Sequence, residues 1–354
     1  MDNKIIADNA KLVKEFGAKD INDLAELPDF YTFQKGLIYS HRDFEKFFKA
    51  LKNGEECAIV SGVNASGTLH LGHKPVFDTN LFFQREFGVK VFIPISDDES
   101  FVAGKVETQE EAKNNAMRLA KEMLAYGFDP KKTVFIIDNI YTNIYNLAFK
   151  MSKKINYSEI KATYGYTPEN NIGLHFYPAV QSAHVLFPQE KFNIKNVLVP
   201  IGPDEDAHLR IARDIAGRYG IPKPAVVHVK FLPGLDGEKM GKSNNNAIYL
   251  NDDLKNVKKK CNKALSGGQE KVEDHKRLGG NPDIDMACQY LKNFFLDKEE
   301  SEELFKKYNK GELLSSEVKN MLYEHISKFV GNFQKRVNEV DDKVLDNCIL
   351  KNKC

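Results

Sequence analysis

Between residues 57 and 229 two kinds of segment alternate, and that alternation restricts the chain to few architectures. Short apolar runs at 57–61, 91–96, 133–137, 197–201 and 225–229 have the length and β-branched content of buried strands. Between them, 76–87, 110–126, 139–154 and 207–219 carry apolar residues at helical spacing. Gly127 and Gly220 stand where two of these helices must stop. Strands alternating with helices predict an α/β fold built on a doubly wound, mainly parallel sheet. Such sheets bind ligands beyond the carboxyl ends of their strands. The polar loops at those ends are 62–72, 96–99 and 202–206, the first and last bearing glycine.

After about residue 250 only helical spacing remains, at 254–264, 283–296, 301–308 and 315–340. The expected division is therefore a catalytic domain over 1–250, with an N-terminal extension, and a C-terminal α-helical domain over 251–354. Ser40 is expected to cap a helix running through Phe44 to Phe48. No apolar run approaches the ~20 residues of a membrane span. The start Met1-Asp2-Asn3-Lys4 lacks a basic segment leading into an apolar one, so a cytoplasmic protein is expected. The five cysteines are odd in number and form no C-x-x-C pair, which argues against a disulfide framework and against a zinc site. With a net charge of only +1, any nucleic-acid contact must use a local basic surface.

Three segments carry residue types suited to nucleotide chemistry. Ser66-Gly67-Thr68-Leu69-His70-Leu71-Gly72-His73 follows a strand and precedes a helix. A helix start offers N–H groups and a positive dipole end to phosphate, and imidazoles three apart share one face. Gly237-Glu238-Lys239-Met240-Gly241-Lys242-Ser243-Asn244 reads as a short loop able to close over a triphosphate and neutralise pyrophosphate. Gly202-Pro203-Asp204-Glu205-Asp206 places carboxylates at a strand end, where ribose hydroxyls or a substrate amine can bind.

Taken together these segments resemble a known family. His70-Leu71-Gly72-His73 is similar to the HIGH motif of class I aminoacyl-tRNA synthetases, and Lys239-Met240-Gly241-Lys242-Ser243 to their KMSKS motif. The resemblance extends to tryptophanyl-tRNA synthetases of the archaeal and eukaryotic type through residues 38–44, Tyr177-Pro178-Ala179-Val180-Gln181, Arg210, Arg213-Asp214, His228 and 266–280. It implies a Rossmann-like catalytic domain and a helical anticodon-binding domain. ATP would be contacted by Gly62, Ser66, Gly67, His70, Gly72 and His73, with Gly202 and Asp204 near the ribose. Lys239, Met240, Lys242 and Ser243 would lie over its phosphates, with Mg²⁺ as counter-ion. Val60, Glu99, Gln181 and Glu205 would line the amino-acid pocket. The implied partners are tryptophan and tRNA(Trp), and the implied assembly is a homodimer.

Several positions depart from the commonest family pattern. Gly241 replaces a serine, Glu205 a glutamine, Val60 and Pro94 the tyrosine and glutamine frequent in eukaryotic relatives, and Asn64-Ala65 precedes Ser66 where proline is usual. Three other readings stay open: a tyrosyl-tRNA synthetase, a small-molecule nucleotidyltransferase, and a synthetase-like regulator that binds amino acid or RNA without turnover. His184 and His208 are expected to be packing or surface histidines, Lys258-Lys259-Lys260 a solvated helix face, and Phe294, Phe295 and Phe329 core residues.

Overall fold

The computed structural model describes residues 12–238, 240 and 246–352. Its sheet is built from β1 (Ile38–Arg42), β2 (Cys57–Val60), β3 (Lys90–Ser96), β4 (Thr133–Ile137), β5 (Asn196–Ile201) and β6 (Ala225–Val229). The strand order is β1-β6-β5-β2-β3-β4; β2 to β6 run parallel and β1 is antiparallel to β6. A two-residue strand, Lys19–Asp20, extends the β1 edge, and Val63–Asn64 pairs with the end of β3. Chain order runs outward from β2 in both directions, through β3 and β4 on one side and through β5 and β6 on the other. The switch point therefore falls between β2 and β5, where such sheets open a crevice.

The five parallel strands lie where their apolar runs predict, because each is long enough to bury both faces. The helices between them include α2 (Lys74–Phe87), α3 (Asp97–Val102), α4 (Gln109–Tyr126), α5 (Ile144–Ser152), α6 (Tyr157–Tyr164), α7 (Ile172–Phe192) and α8 (Asp206–Arg218). Residues 97–99, expected as a loop, form the first turn of α3, where three carboxylates meet the helix's positive end. The largest departure is at the N-terminal side. Ser40 does not cap a helix; it sits inside β1, and helix α1 (Phe44–Lys52) starts one turn later behind Asp43. Asp43 has φ of 53°, a left-handed conformation that Asp tolerates.

What draws 38–42 into the sheet is a partner far away in sequence. Arg42 donates through Nε and Nη2 to Asp206, at 2.7 and 2.9 Å. His228 on β6 donates through Nε2 to the same carboxylate at 2.9 Å, and its Nδ1 accepts from Ser40 Oγ at 2.9 Å. Asp206 is 1% exposed and His228 fully buried, so this is an interior polar network. Beside it Asp43 accepts from Arg213 Nη2 at 2.6 Å, with Lys46 Nζ 2.7 Å away. Burial pushes the Asp206 pKa up, but the His228 and Arg42 bonds outweigh it and hold the carboxyl well below the usual range.

Two compact units emerge, and they do not coincide with a cut at residue 250. One comprises 12–67, 76–229 and 339–352; the other comprises 68–75 and 230–338. The returning tail explains part of this: α14 (Asp342–Cys348) leads into Ile349 and Leu350, whose N–H bonds to Phe135 O on β4 at 2.9 Å. The second unit holds α9 (Leu254–Asn262), α10 (Val272–Leu278), α11 (Met286–Phe294), α12 (Lys298–Asn309) and α13 (Ser315–Glu339). Its centre is Asp285, which caps α11 and accepts from Gly267 N at 2.9 Å and from Tyr308 Oη at 2.7 Å. Gly279 is obligatory: a Cβ there would lie 1.7 Å from Asn309 O, and its φ is +74°. Phe294 is core as expected. Lys260 is not on a solvated face: it is 12% exposed, donating to Asp252 at 2.6 Å and Ala247 O at 2.9 Å.

Asp206→Ala leaves Arg42 and His228 without their acceptor and should destabilise the protein by about 3–5 kcal/mol in urea unfolding. Because the folded pKa lies below the ordinary aspartate value of 3.8, the stabilisation is complete above that pH and is lost as pH falls further. The gap between wild type and variant should therefore narrow in acid below 3.8.

Candidate active site

At the switch point the first unit encloses a cavity of about 380 Å³. The ends of β2, β3 and β5 supply Val60, Pro94, Ser96, Val199 and Ile201, and α7 and α8 close the opposite side. Of the residues expected in the site, Val60, Gly62, Glu99, Gln181 and Glu205 all line it. Gly202 and Asp204 open the short turn Pro203–Glu205 and do not belong to the lining.

Its polar groups form two clusters. In the first, Tyr164 donates to Gln181 Oε1 at 2.7 Å, Gln181 Nε2 donates to Glu205 Oε2 at 3.2 Å, and His208 Nδ1 meets the same oxygen at 2.9 Å. The Tyr164 and His208 rings stack with centroids 4.1 Å apart. Burial raises the Glu205 pKa, but His208 outweighs it and the net shift is downward, so the carboxylate is charged. In the second cluster Lys105 Nζ lies 2.8 and 3.0 Å from the two Glu99 oxygens, and Asn64 Nδ2 donates to Glu99 as well. Asn64 Oδ1 accepts from Ser66 N at 3.0 Å, Ser66 Oγ at 2.5 Å and Ser100 Oγ at 2.9 Å. Asn64 thus ties the start of the Ser66-Gly67 turn to α3. Gly67 O accepts from Arg118 Nη2 at 3.1 Å.

The HIGH-like segment belongs to the second unit. His70 Nδ1 accepts from Gly72 N at 3.1 Å, and His73 Nδ1 accepts from His70 N at 3.1 Å, closing a reciprocal cap. His70 then carries its proton on Nε2, the tautomer that can donate to an anion, whereas His73 Nδ1 lies 3.1 Å from His70 O as well as from His70 N. Burial lowers the His73 pKa, so this imidazole is neutral near pH 7. The segment is pinned from both sides: Leu71 N bonds to Ile248 O at 3.0 Å and Leu250 N to Leu69 O at 2.8 Å. A Cβ on Gly72 would meet His70 ring atoms at 2.8 Å and Met240 Sδ at 3.1 Å, so Met240 of the KMSKS-like segment lies against the HIGH-like turn. Lys239, Lys242 and Ser243 lie outside the described residues.

Several lining residues had no weight in the sequence. Tyr164, Tyr166, Tyr177, Lys105, His184 and His208 all reach the cavity. His184 is buried and His208 partly exposed, and both line the cavity. Their one available signal was spacing: His184 lies three after Gln181 and His208 three after Glu205, each on one helix face. Behind the cavity Asp97, Asp98 and Asp138 offer oxygens within 4.8 Å of one another, the carboxylate group best placed for a cation among the described residues.

A doubly wound sheet with a cavity at its switch point and a HIGH-like turn is the architecture of a class I synthetase. The family model for tRNA synthetases class I (W and Y) matches residues 52–331, and the chain belongs to this family. Membership carries with it the use of ATP. Within the family its relatives are tryptophan enzymes. A tryptophan–tRNA ligase of Methanocaldococcus jannaschii is 37% identical, with 96% of each chain covered. The cytoplasmic tryptophan–tRNA ligase of Saccharomyces cerevisiae is 35% identical over 98% of this chain and 85% of that protein. The tryptophanyl-tRNA synthetase structure from Aeropyrum pernix K1 superimposes with a TM-score of 0.89 at 29% identity, covering 99% of each chain. No described helix is long and apolar enough to cross a membrane.

Gly72→Ala forces a methyl into the His70 ring and against Met240, and should cost about 1–3 kcal/mol of stability. A urea titration checks this; a variant as stable as wild type would show that the reciprocal cap is looser than described.

Proposed function

We propose that this protein activates tryptophan with ATP and transfers it to tRNA(Trp). One observation carries the reading: a 37% identical tryptophan–tRNA ligase aligns along 96% of the chain, so catalytic and helical parts match together. In the first step a tryptophan carboxylate oxygen attacks the α-phosphorus of ATP, and pyrophosphate leaves. In the second a ribose hydroxyl at the tRNA 3′ end attacks the adenylate carbonyl, and AMP leaves. Neither step needs a side-chain nucleophile; positioning and charge stabilisation suffice.

The roles follow from the resemblance and from the geometry above. His70 and His73 stabilise phosphate oxygens as charge builds, and the neutral state of His73 suits a group that must not hold the product. Lys239, Lys242 and Ser243 draw off the pyrophosphate charge, with Met240 setting the loop against the turn. Gly62, Ser66, Gly67 and Gly72 bring backbone N–H groups close to the nucleotide, and Gly202 and Asp204 serve its ribose. Mg²⁺ enters with the triphosphate as part of the substrate. Charged Glu99 and Glu205 suit the α-amino group of the amino acid, with Gln181 bridging to Glu205 and Val60 in the apolar wall. His208 and Gln181 hold Glu205 in place at the position where a glutamine is common.

The helical residues after 250 serve as the anticodon-binding part, which reads unstacked bases. A homodimer is supported by an apolar face in the first unit. Phe149 is 71% and Ile172 80% exposed, with Phe176 beside Phe149. A cytoplasmic location is supported by the yeast relative.

Pyrophosphate exchange screened over the twenty amino acids tests the function, and tryptophan alone should support it. Because the chain contains no tryptophan, the fluorescence of the bound substrate reports its affinity directly. His73→Ala should slow exchange ~100-fold while leaving that affinity nearly unchanged, since the contact strengthens in the transition state. Phe149→Asp with Ile172→Asp should shift a dimer to monomers in analytical ultracentrifugation.

A further inference from the structure

The tryptophan ring carries one polar atom, an N–H that can only donate, and a pocket that selects it needs a buried acceptor. Most acceptors already described in this cavity are engaged; Glu205 Oε1 is open, but as a carboxylate oxygen it suits the α-amino cation assigned to it above. Glu99 is held by Lys105 and Asn64, Gln181 Oε1 by Tyr164, and Glu205 by Gln181 and His208. Ser96 Oγ accepts from Tyr177 at 3.0 Å. At the two places where eukaryotic relatives offer a tyrosine and a glutamine, this chain has Val60 and Pro94, both in the lining.

His184 offers an uncharged acceptor. It lies on α7, is 3% exposed and lines the cavity. Its Nε2 is 2.7 Å from Asp138 Oδ1, and among the described residues no hydrogen bond reaches its Nδ1. The tautomer is set from behind. Asp98 accepts from Glu99 N at 2.6 Å and from Tyr145 at 3.3 Å, and it pairs with Asp138 carboxyl to carboxylate. Burial raises both pKa values. With Asp138 Oδ1 as acceptor at 2.7 Å, Nε2 carries the hydrogen and Nδ1 a lone pair. Burial also pushes the His184 pKa down to about 4, which keeps the ring neutral at pH 7.

We infer that His184 Nδ1 accepts the indole N–H of tryptophan and is the specificity-determining acceptor of this pocket. The carboxylates behind it are positioning residues: they fix which ring nitrogen is bare. The assignment rests on the tryptophan reading above.

The test compares tryptophan with its benzothiophene analogue, which has sulfur in place of the N–H, in pyrophosphate exchange. Wild type should favour tryptophan in kcat/KM by about 10- to 100-fold, because the analogue leaves Nδ1 buried and unpaired. His184→Leu should reduce that ratio to within about threefold, mainly through a raised KM for tryptophan, and His184→Gln, which keeps an acceptor, should restore part of it. An unchanged ratio in His184→Leu overturns the assignment while leaving the function standing. No exchange with tryptophan by wild type overturns both. If the variants fail to fold, ¹⁵N-histidine spectra of the wild type decide. One Nδ1 resonance of the unprotonated type should move on adding tryptophan and stay when the analogue is added; equal responses to both ligands overturn the assignment.

Discussion

A single buried carboxylate, Asp206, organises the first unit. It joins Arg42 of β1, His228 of β6 and the first turn of α8, three elements from distant parts of the chain. A charge with 1% exposure persists only when its attraction and hydrogen bonds offset desolvation. The bidentate Arg42 and the His228 N–H meet that condition. Glu205 precedes Asp206 directly and His208 follows it by two, so the anchoring of one residue fixes where both neighbours enter the cavity. Scaffold and substrate chemistry are thus adjacent on the same turn.

Polar groups in the cavity follow the same logic on a smaller scale. Glu99 is matched by Lys105 and an amide, and Glu205 by His208 and an amide, so neither is a bare buried carboxylate. The amide partners are held in turn by Tyr164, Ser66 and Ser100. Pre-orientation of this kind reduces the ordering cost of binding. At Glu205, where a glutamine is common, the carboxylate is met by a histidine one helical turn on.

The parallel strands were legible because a buried strand announces itself by its apolar run and the helices by their period. The HIGH-like turn was legible because its chemistry is local: His70, Gly72 and His73 satisfy one another within four residues. β1 was not legible, since 38–42 is polar enough to read as a helix entrance and becomes a strand only through His228 and Asp206. Nor was the histidine at 184, whose role depends on Asp138, 46 residues earlier in the chain.

Sequence alone determined the fold class, the order of strands along the chain and the family, because these depend on periodicity and on motifs within a few residues. Tertiary structure decided the division into units, with 68–75 joined to 230–338 and the tail returned to β4. It also decided which polar atoms in the cavity are spent on each other and which remains to receive a ligand. Hydrogen-bond satisfaction is a property of groups that meet in space, and no spacing along the chain encodes it.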